Sequence, residues 1–252
     1  MGSLALFLAA VIAGAINSVA GGGTLISFPA LIAAGVPAIE ANATNTAALV
    51  PGSASSAYAY RHDFGAQRGL LLTLLLPSLV GGLLGAVALV VTPPRLFGRI
   101  VPFLVLFATL LFAGNDLVGR LGKNGPREER PVSWAGTVWG VGFQVLVSAY
   151  GGYFGAGIGI LMLASLSIMG LRDIHRMNGL KTILGTLINV IAFGFFALKG
   201  LVVWRLAGVM AVGAIAGGWI GARTARRIDQ RWLRAFIIAV GLGVSTWLFI
   251  RH

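Results

Sequence analysis

The chain has 252 residues, of which 57% are hydrophobic and only 10% are charged, with a mean hydropathy of +0.90. Soluble globular chains carry about 25% charged residues, so this composition predicts an all-α integral membrane protein and excludes a soluble domain. The net charge of +12 does not indicate a nucleic-acid partner, because the basic residues lie in short loops between apolar runs, where Lys and Arg set membrane orientation.

The first apolar run, residues 3–34, contains the sequence INSVAGGGTLISFP at 16–29. It lacks the basic start of a signal peptide, so we predict a retained first membrane segment. The run is too long for one crossing, which needs about 20 residues. Glycine lets the backbone leave a helix, and a new helix can begin at Thr24. We therefore predict a broken helix here, either a hairpin or two short helices.

The two halves of the chain share one plan, a glycine-broken run followed by three uninterrupted spans. In the first half these spans are predicted at 42–60, 69–91 and 96–117. In the second half the run 132–169 is broken at GGYFGAGIG, and the spans are predicted at 176–198, 201–222 and 232–250. The polar segment 118–131 is predicted to connect a first transmembrane repeat, 1–117, to a second, 132–252.

A weak internal repeat supports this division. Gly22 matches Gly157 and Gly35 matches Gly170 at one constant spacing. GGLLG at 81–85 matches GGWIG at 217–221, where the spacing is larger by one residue. A single crossing by each broken run would divide the 19 Lys and Arg residues about evenly. If each run turns back, most of them lie on one side, as the positive-inside rule prefers. The repeats are then inverted, with both termini outside, which is typical of transporters.

The glycine breaks predict a binding site near the middle of the membrane. A helix N-terminus presents unpaired N–H groups and a partial positive charge, and irregular backbone inside a membrane must line a cavity or be satisfied by protein. Thr24 is predicted to act as a helix cap or a direct ligand. The alternative is that small residues only let helices pack closely, and we favour that interpretation for GGLLG and GGWIG.

Polar residues begin the span after each broken run, in ANATNTAAL at 41–49 and RMNGLKTIL at 176–184. Lys181 lies about 9 Å along a helix from His175, and all seven acidic residues fall in loops or at span ends. A lone intramembrane cation beside hydroxyl and amide groups suits an anionic substrate. The alternative is a lysine that snorkels to the cytoplasmic surface.

The residues predicted to bind substrate belong to the glycine breaks or to these polar span starts. They are Gly21, Gly22, Gly23, Thr24, Asn45, Thr46, Gly155, Gly157, Asn178, Lys181 and Thr182. A second set of polar residues is predicted either to line the pathway or to bridge helices. These are Asn17, Gln144, Tyr150, Tyr153 and Asn189.

Several function classes are excluded or disfavoured by what the sequence lacks. Cation pumps and most proton-coupled carriers use intramembrane Asp, Glu or His, and none is central here. Cysteine, HExxH and P-loop patterns are absent, so we expect no metal ion and no cofactor. GSASS at 52–56 has no deeply placed histidine to activate a serine, so we expect no enzymatic activity.

Two segments resemble the repeats of the TauE/SafE family of sulfite and organosulfur-anion exporters. AGGGTLISFPALIAAGVPAIEANATNTAALVPGSASSAYAYR at 20–61 resembles the first repeat, and GGYFGAGIGILMLASLSIMGLRDIHRMNGLKTILGTLINVIAFGFFALKG at 151–200 resembles the second. The first half shares Pro29 and GVP with the family pattern. The second departs from it, because Ala164 stands where a proline is common and GLRD replaces a proline-containing loop.

The resemblance implies anion transport in a bacterial inner membrane without identifying the anion. The expected protein is an exporter of sulfite or an organosulfonate, which works by alternating access, with both termini in the periplasm. Its expected partners are the small anion and the lipid bilayer, and the sequence leaves a homodimer open. A passive anion channel and a non-transporting membrane assembly subunit remain alternatives at this point.

Overall fold

Every described element of the protein is an α-helix, and no described residue lies in a strand. The computed structural model describes residues 2–19, 21–59, 68–121, 134–171, 174–224 and 230–251. These residues form α1 (Ser3–Val19), α2 (Thr24–Ala33), α3 (Ala38–Ala59), α4 (Arg68–Val91), α5 (Pro94–Leu121), α6 (Trp134–Tyr153), α7 (Ile158–Ile168), α8 (Ile174–Leu198), α9 (Trp204–Thr224) and α10 (Gln230–Arg251). The predicted breaks are confirmed, because both long apolar runs are divided into two helices, α1 with α2 and α6 with α7.

Four of the described helices contain stretches long and apolar enough to cross a membrane: Arg68–Val91, Pro94–Gly114, Arg176–Leu198 and Trp204–Gly221. The described apolar parts of α1, α2, α7 and α10 are shorter. The predicted span 42–60 corresponds to α3, which does not meet the same standard of apolarity. Its first turns carry Asn42, Thr44 and Asn45, which are all buried. Burial inside the protein therefore replaces the lipid contact that the prediction assumed for this helix.

Helix α5 extends beyond the predicted end of the span 96–117. Helix α5 continues to Leu121, so its last turn occupies the start of the segment 118–131. The rest of that segment lies outside the described residues.

The two halves pack against each other in a reciprocal way. Helix α1 contacts α9 as α6 contacts α4, and α3 contacts α9 as α8 contacts α4. The short helices follow the same rule, since α2 contacts α10 and α7 contacts α5. Exchanging α1–α5 for α6–α10 therefore preserves these contacts, as expected for two similar repeats. The inverted orientation of the repeats in the membrane stays a prediction.

The GGLLG and GGWIG segments pack helices closely, which confirms the packing interpretation. A Cβ atom on Gly85 would overlap the carbonyl oxygen of Ala149, so α4 and α6 touch through their backbones. A Cβ atom on Gly217 would overlap the carbonyl oxygen of Val11 in the same way, where α9 meets α1. Such close approach gives the dispersion contacts that hold helices together in lipid, where no hydrophobic driving force acts between them.

We expect Gly217→Val to destabilise the protein by about 1–3 kcal/mol, the usual cost of forcing extra methyl groups into a packed interface. Gly208→Val is the matched control on the same helix, because nothing lies within 4 Å of a Cβ atom at Gly208. Thermal unfolding of the two variants in detergent measures the difference. Equal melting temperatures for both variants would contradict the close contact between α9 and α1.

Candidate functional site

The two glycine breaks meet in the structure. Gly21 has a φ of +78°, and a Cβ atom built on it would lie 3.2 Å from the Cα atom of Gly159. Helix α7 begins after Gly157, whose φ of +75° lies in the left-handed region. Gly23 packs against the carbonyl of Ala13 in α1, so the chain reverses direction at the first break. Residues 138 positions apart in the sequence are thereby brought into contact.

The irregular backbone of the second break has its carbonyl groups satisfied by side chains. The Tyr150 hydroxyl donates a hydrogen bond of 2.7 Å to the carbonyl oxygen of Ala156. Asn42 Nδ2 in α3 donates one of 2.9 Å to the carbonyl oxygen of Tyr153. Because non-helical backbone inside a membrane is stable only when protein or water satisfies it, these two side chains fix the shape of the break.

A partly open pocket with a cavity volume of about 40 Å³ lies where the breaks meet. Its lining combines the end of α1, one residue of α3, the start of α7 and one face of α8. The lining residues are Asn17, Gly21, Ser53, Ile158, Gly159, Met162, Lys181, Thr182, Gly185, Thr186 and Asn189. Hydroxyl, amide and ammonium groups therefore share this space with the first turn of α7, whose N-terminus carries a partial positive charge.

Lys181 is the charged residue of this lining, and only 6% of its surface is exposed. Its Nζ donates a hydrogen bond of 2.9 Å to Asn178 Oδ1. An ammonium group has three N–H donors, and within the described part of the chain the other two reach no acceptor. The lining contains no carboxylate. The pocket therefore presents one uncompensated positive charge. The amide of Asn17 is already engaged, because its Nδ2 donates to Ser53 Oγ at 2.9 Å.

Three of the predicted binding residues, Gly21, Lys181 and Thr182, line the pocket. Asn178 lies beside it through its hydrogen bond to Lys181. Gly155 adjoins the pocket, since a Cβ atom on it would lie 3.9 Å from Asn189 Oδ1. The structure brings these five residues together, and their role in binding stays a prediction.

The remaining predicted glycines form the breaks without lining the pocket. A Cβ atom on Gly22 would overlap the ring of Phe112, which is buried in α5. Gly157 faces Ala108 of the same helix at 3.5 Å. In this conformation these glycines shape the breaks. Aromatic and aliphatic side chains, and not a ligand, fill the space beside them.

Two of the predicted residues, Thr24 of α2 and Asn45 of α3, belong to a separate buried cluster. Asn45 Nδ2 donates a hydrogen bond of 3.3 Å to Thr24 Oγ1, and Ser27 Oγ donates one to Asn45 Oδ1. Thr46 Oγ1 bonds within its own helix, to the carbonyl oxygen of Asn42. The predicted cap role of Thr24 is wrong, because the N-cap of α2 is Gly23 and no side chain caps that helix. The cluster joins α2 to α3.

Sequence reasoning missed six lining residues: Ser53, Ile158, Gly159, Met162, Gly185 and Thr186. A signal for two of them was available, since Gly185 and Thr186 follow Lys181 and Thr182 by four residues and so share their helix face. Of the residues predicted to line the pathway or bridge helices, Asn17 and Asn189 line the pocket. Gln144 bridges helices, because its Nε2 donates to Ser78 Oγ at 3.0 Å.

Metal-ligating side chains do not gather anywhere in the described ranges. The three hydroxyl and two amide side chains of the pocket are neutral, and its ammonium group would repel a cation. The hydroxyl groups of Thr182 and Thr186 donate within α8, to the carbonyl oxygens of Asn178 and Thr182. The charged donor left for a ligand is therefore the ammonium group of Lys181, which suits a negatively charged small molecule.

The chain is similar to known membrane transporter proteins over nearly its whole length. The family description "Sulfite exporter TauE/SafE" matches residues 6–248. The chain is 30% identical over 249 residues to the probable membrane transporter protein YfcA of Escherichia coli K12, covering 96% of this chain and 88% of that protein. It is 29% identical over 241 residues to the probable membrane transporter protein ORF9 of a Sinorhizobium species, covering 95% and 89%. No solved structure matches the chain significantly.

Proposed function

The chain belongs to the TauE/SafE family of membrane transporters, and from this premise we propose that it carries small anions such as sulfite or organosulfonates out of the cytoplasm across a bacterial inner membrane. The observation that carries the proposal is the buried, carboxylate-free ammonium of Lys181 at the junction of the two breaks. A buried charge needs a partner. A bound anion supplies one, and it can accept the N–H groups of Lys181 that Asn178 does not use.

The start of α7 supports the same assignment. Ile158 and Gly159, its first two residues, line the pocket. A helix N-terminus is equivalent to roughly half a positive charge, so the field of α7 adds to that of Lys181. Broken helices whose N-termini face an anionic group are a recurrent way to bind substrates in transporters. The substrate, the lipid bilayer and no nucleic acid are the partners in this proposal, and no catalysis, metal ion or cofactor is needed.

Alternating access is the proposed mechanism. The reciprocal contacts between α1–α5 and α6–α10 support a pair of similar units. In the proposed mechanism these units rock against each other about the pocket. Their orientation in the membrane is inverted, with both termini in the periplasm. With a negative interior, expelling one negative charge is favoured by about 2.3 kcal/mol per 100 mV. Export of a monoanion can therefore run on the membrane potential alone.

We expect purified protein in liposomes to take up sulfite with saturable kinetics, and faster when the vesicle interior is made positive. Saturation follows from a single site that must reorient for each anion. Radiolabelled sulfite and a series of organosulfonates provide the measurement, with protein-free liposomes as the control. Flux that rises linearly with concentration would indicate a passive channel instead. Absence of flux for every anion would favour a membrane assembly subunit and reject the proposal.

A further inference from the structure

Gly185 is the one position of the α8 pocket face that has no side chain. It lies one turn after Lys181 and one turn before Asn189, on the same face of the helix. A Cβ atom on Gly185 would meet a single neighbour within 4 Å, the Sδ atom of Met162 at 3.9 Å. That distance is ordinary van der Waals contact, so no neighbouring helix requires a glycine at this position.

The backbone does not require a glycine there either. Gly185 is absent from the glycines with positive φ, and α8 is regular from Ile174 to Leu198. In the interior of a helix, glycine is less favourable than alanine by about 1 kcal/mol. The helix therefore carries an unfavourable residue that neither packing nor backbone requires, and its missing side chain leaves space beside Met162.

We propose that Gly185, with Met162 on the opposite wall, sets the upper size limit for the anion that the pocket accepts. The inference rests on the proposed function and adds the residues that select the substrate. The charged head of the anion binds the ammonium group of Lys181. The rest of the molecule extends along the face of α8 over Gly185 and against Met162 and Ile158, which are apolar.

The charges and dimensions define the class of ligand. One ammonium group in the lining matches one negative charge. The four residues from Lys181 to Gly185 span about 6 Å along the helix, so a tail of only a few carbon atoms passes from the head-binding groups to the glycine. The predicted ligand is a monoanion with a short, unbranched aliphatic tail. Any side chain at 185 occupies the path of that tail.

The test is the affinity of the purified full-length protein for unbranched alkanesulfonates from one to five carbons, measured by titration in detergent and by competition with sulfite uptake in liposomes. Gly185→Ala should change the affinity for the one-carbon anion by a factor of about 2 at most. It should lower the affinity for the longest anions by about tenfold or more, the usual effect of one methyl group in a fitted pocket. Gly185→Val should move the cut-off to still shorter anions. Met162→Ala should move it to longer ones.

Gly194→Ala is the matched control, because Gly194 lies on the same helix with nothing within 4 Å of a Cβ atom and outside the pocket lining. It gains the same helix propensity and should keep the wild-type size profile. The inference would be overturned by a uniform loss of affinity for all anions in Gly185→Ala, or by the same change of size profile in Gly194→Ala. Either result, with flux retained in the wild type, would leave the proposed function standing. Absence of binding and flux in the wild type would reject both.

Discussion

Lys181→Met should strongly weaken anion uptake while leaving the protein folded. The substitution keeps the length and apolar stem of the side chain and deletes the one charge of the pocket lining. A hydrogen bond to a charged group contributes about 1.5–3 kcal/mol, so the apparent affinity should fall by about 10–150-fold. The melting temperature should hold or rise, because a buried cation without a carboxylate costs solvation energy that methionine does not. Uptake kinetics and thermal unfolding of the same preparation give both values.

Lys199→Met provides the matched control for this prediction. Lys199 follows the end of α8, is exposed, and lies 5.7 Å above the ring of Phe195. Its replacement removes the same charge from the protein without changing the pocket. A lysine at 181 that only snorkels to the surface would contribute no affinity, so unchanged uptake in Lys181→Met would remove the pocket from the proposed function. Unfolding of Lys181→Met alone would make the Lys181–Asn178 pair a structural one.

The two breaks could be predicted from the sequence because their causes are local. The first run is too long for one crossing and too short for two complete ones, and it has adjacent glycines in its middle. This local pattern predicts a break in the helix. The start of α2 at Thr24 was predicted correctly for this reason. The position of α8 was predicted within two residues at its start, since its apolar stretch is bounded by charged and glycine-containing loops.

The pairing of side chains between helices could not be predicted in the same way. Asn45 and Thr24 lie in a plausible binding sequence, yet Ser27, which carries no distinguishing local pattern, completes a cluster that joins α2 to α3. Ser53 reaches the pocket because α3 passes α1 there and accepts a hydrogen bond from Asn17. Such contacts depend on how distant helices cross, and a single sequence contains no direct record of that geometry.

Gly21→Ala should weaken anion uptake because it pushes the two breaks apart. Its φ of +78° costs a residue with a side chain about 1–2 kcal/mol. In addition, the new methyl group would lie 3.2 Å from the Cα atom of Gly159, so one break must shift by a few tenths of an ångström. Both glycines line the pocket. We expect the shift to misplace the start of α7 relative to Lys181 and to lower apparent affinity by about tenfold or more, as when one hydrogen bond to a charged group is lost.

Gly35→Ala separates the effect of contact from the effect of backbone strain. Gly35 has a φ of +87°, but nothing lies within 4 Å of a Cβ atom there. Both variants should therefore lose similar amounts of thermal stability, since both place alanine in the left-handed region. Only Gly21→Ala should lower the apparent affinity for the anion. If both variants keep the wild-type affinity, the contact between the breaks does not shape the site. If the affinity falls equally in both, backbone strain at helix ends explains the result, and the junction of Gly21 with Gly159 has no special part in binding.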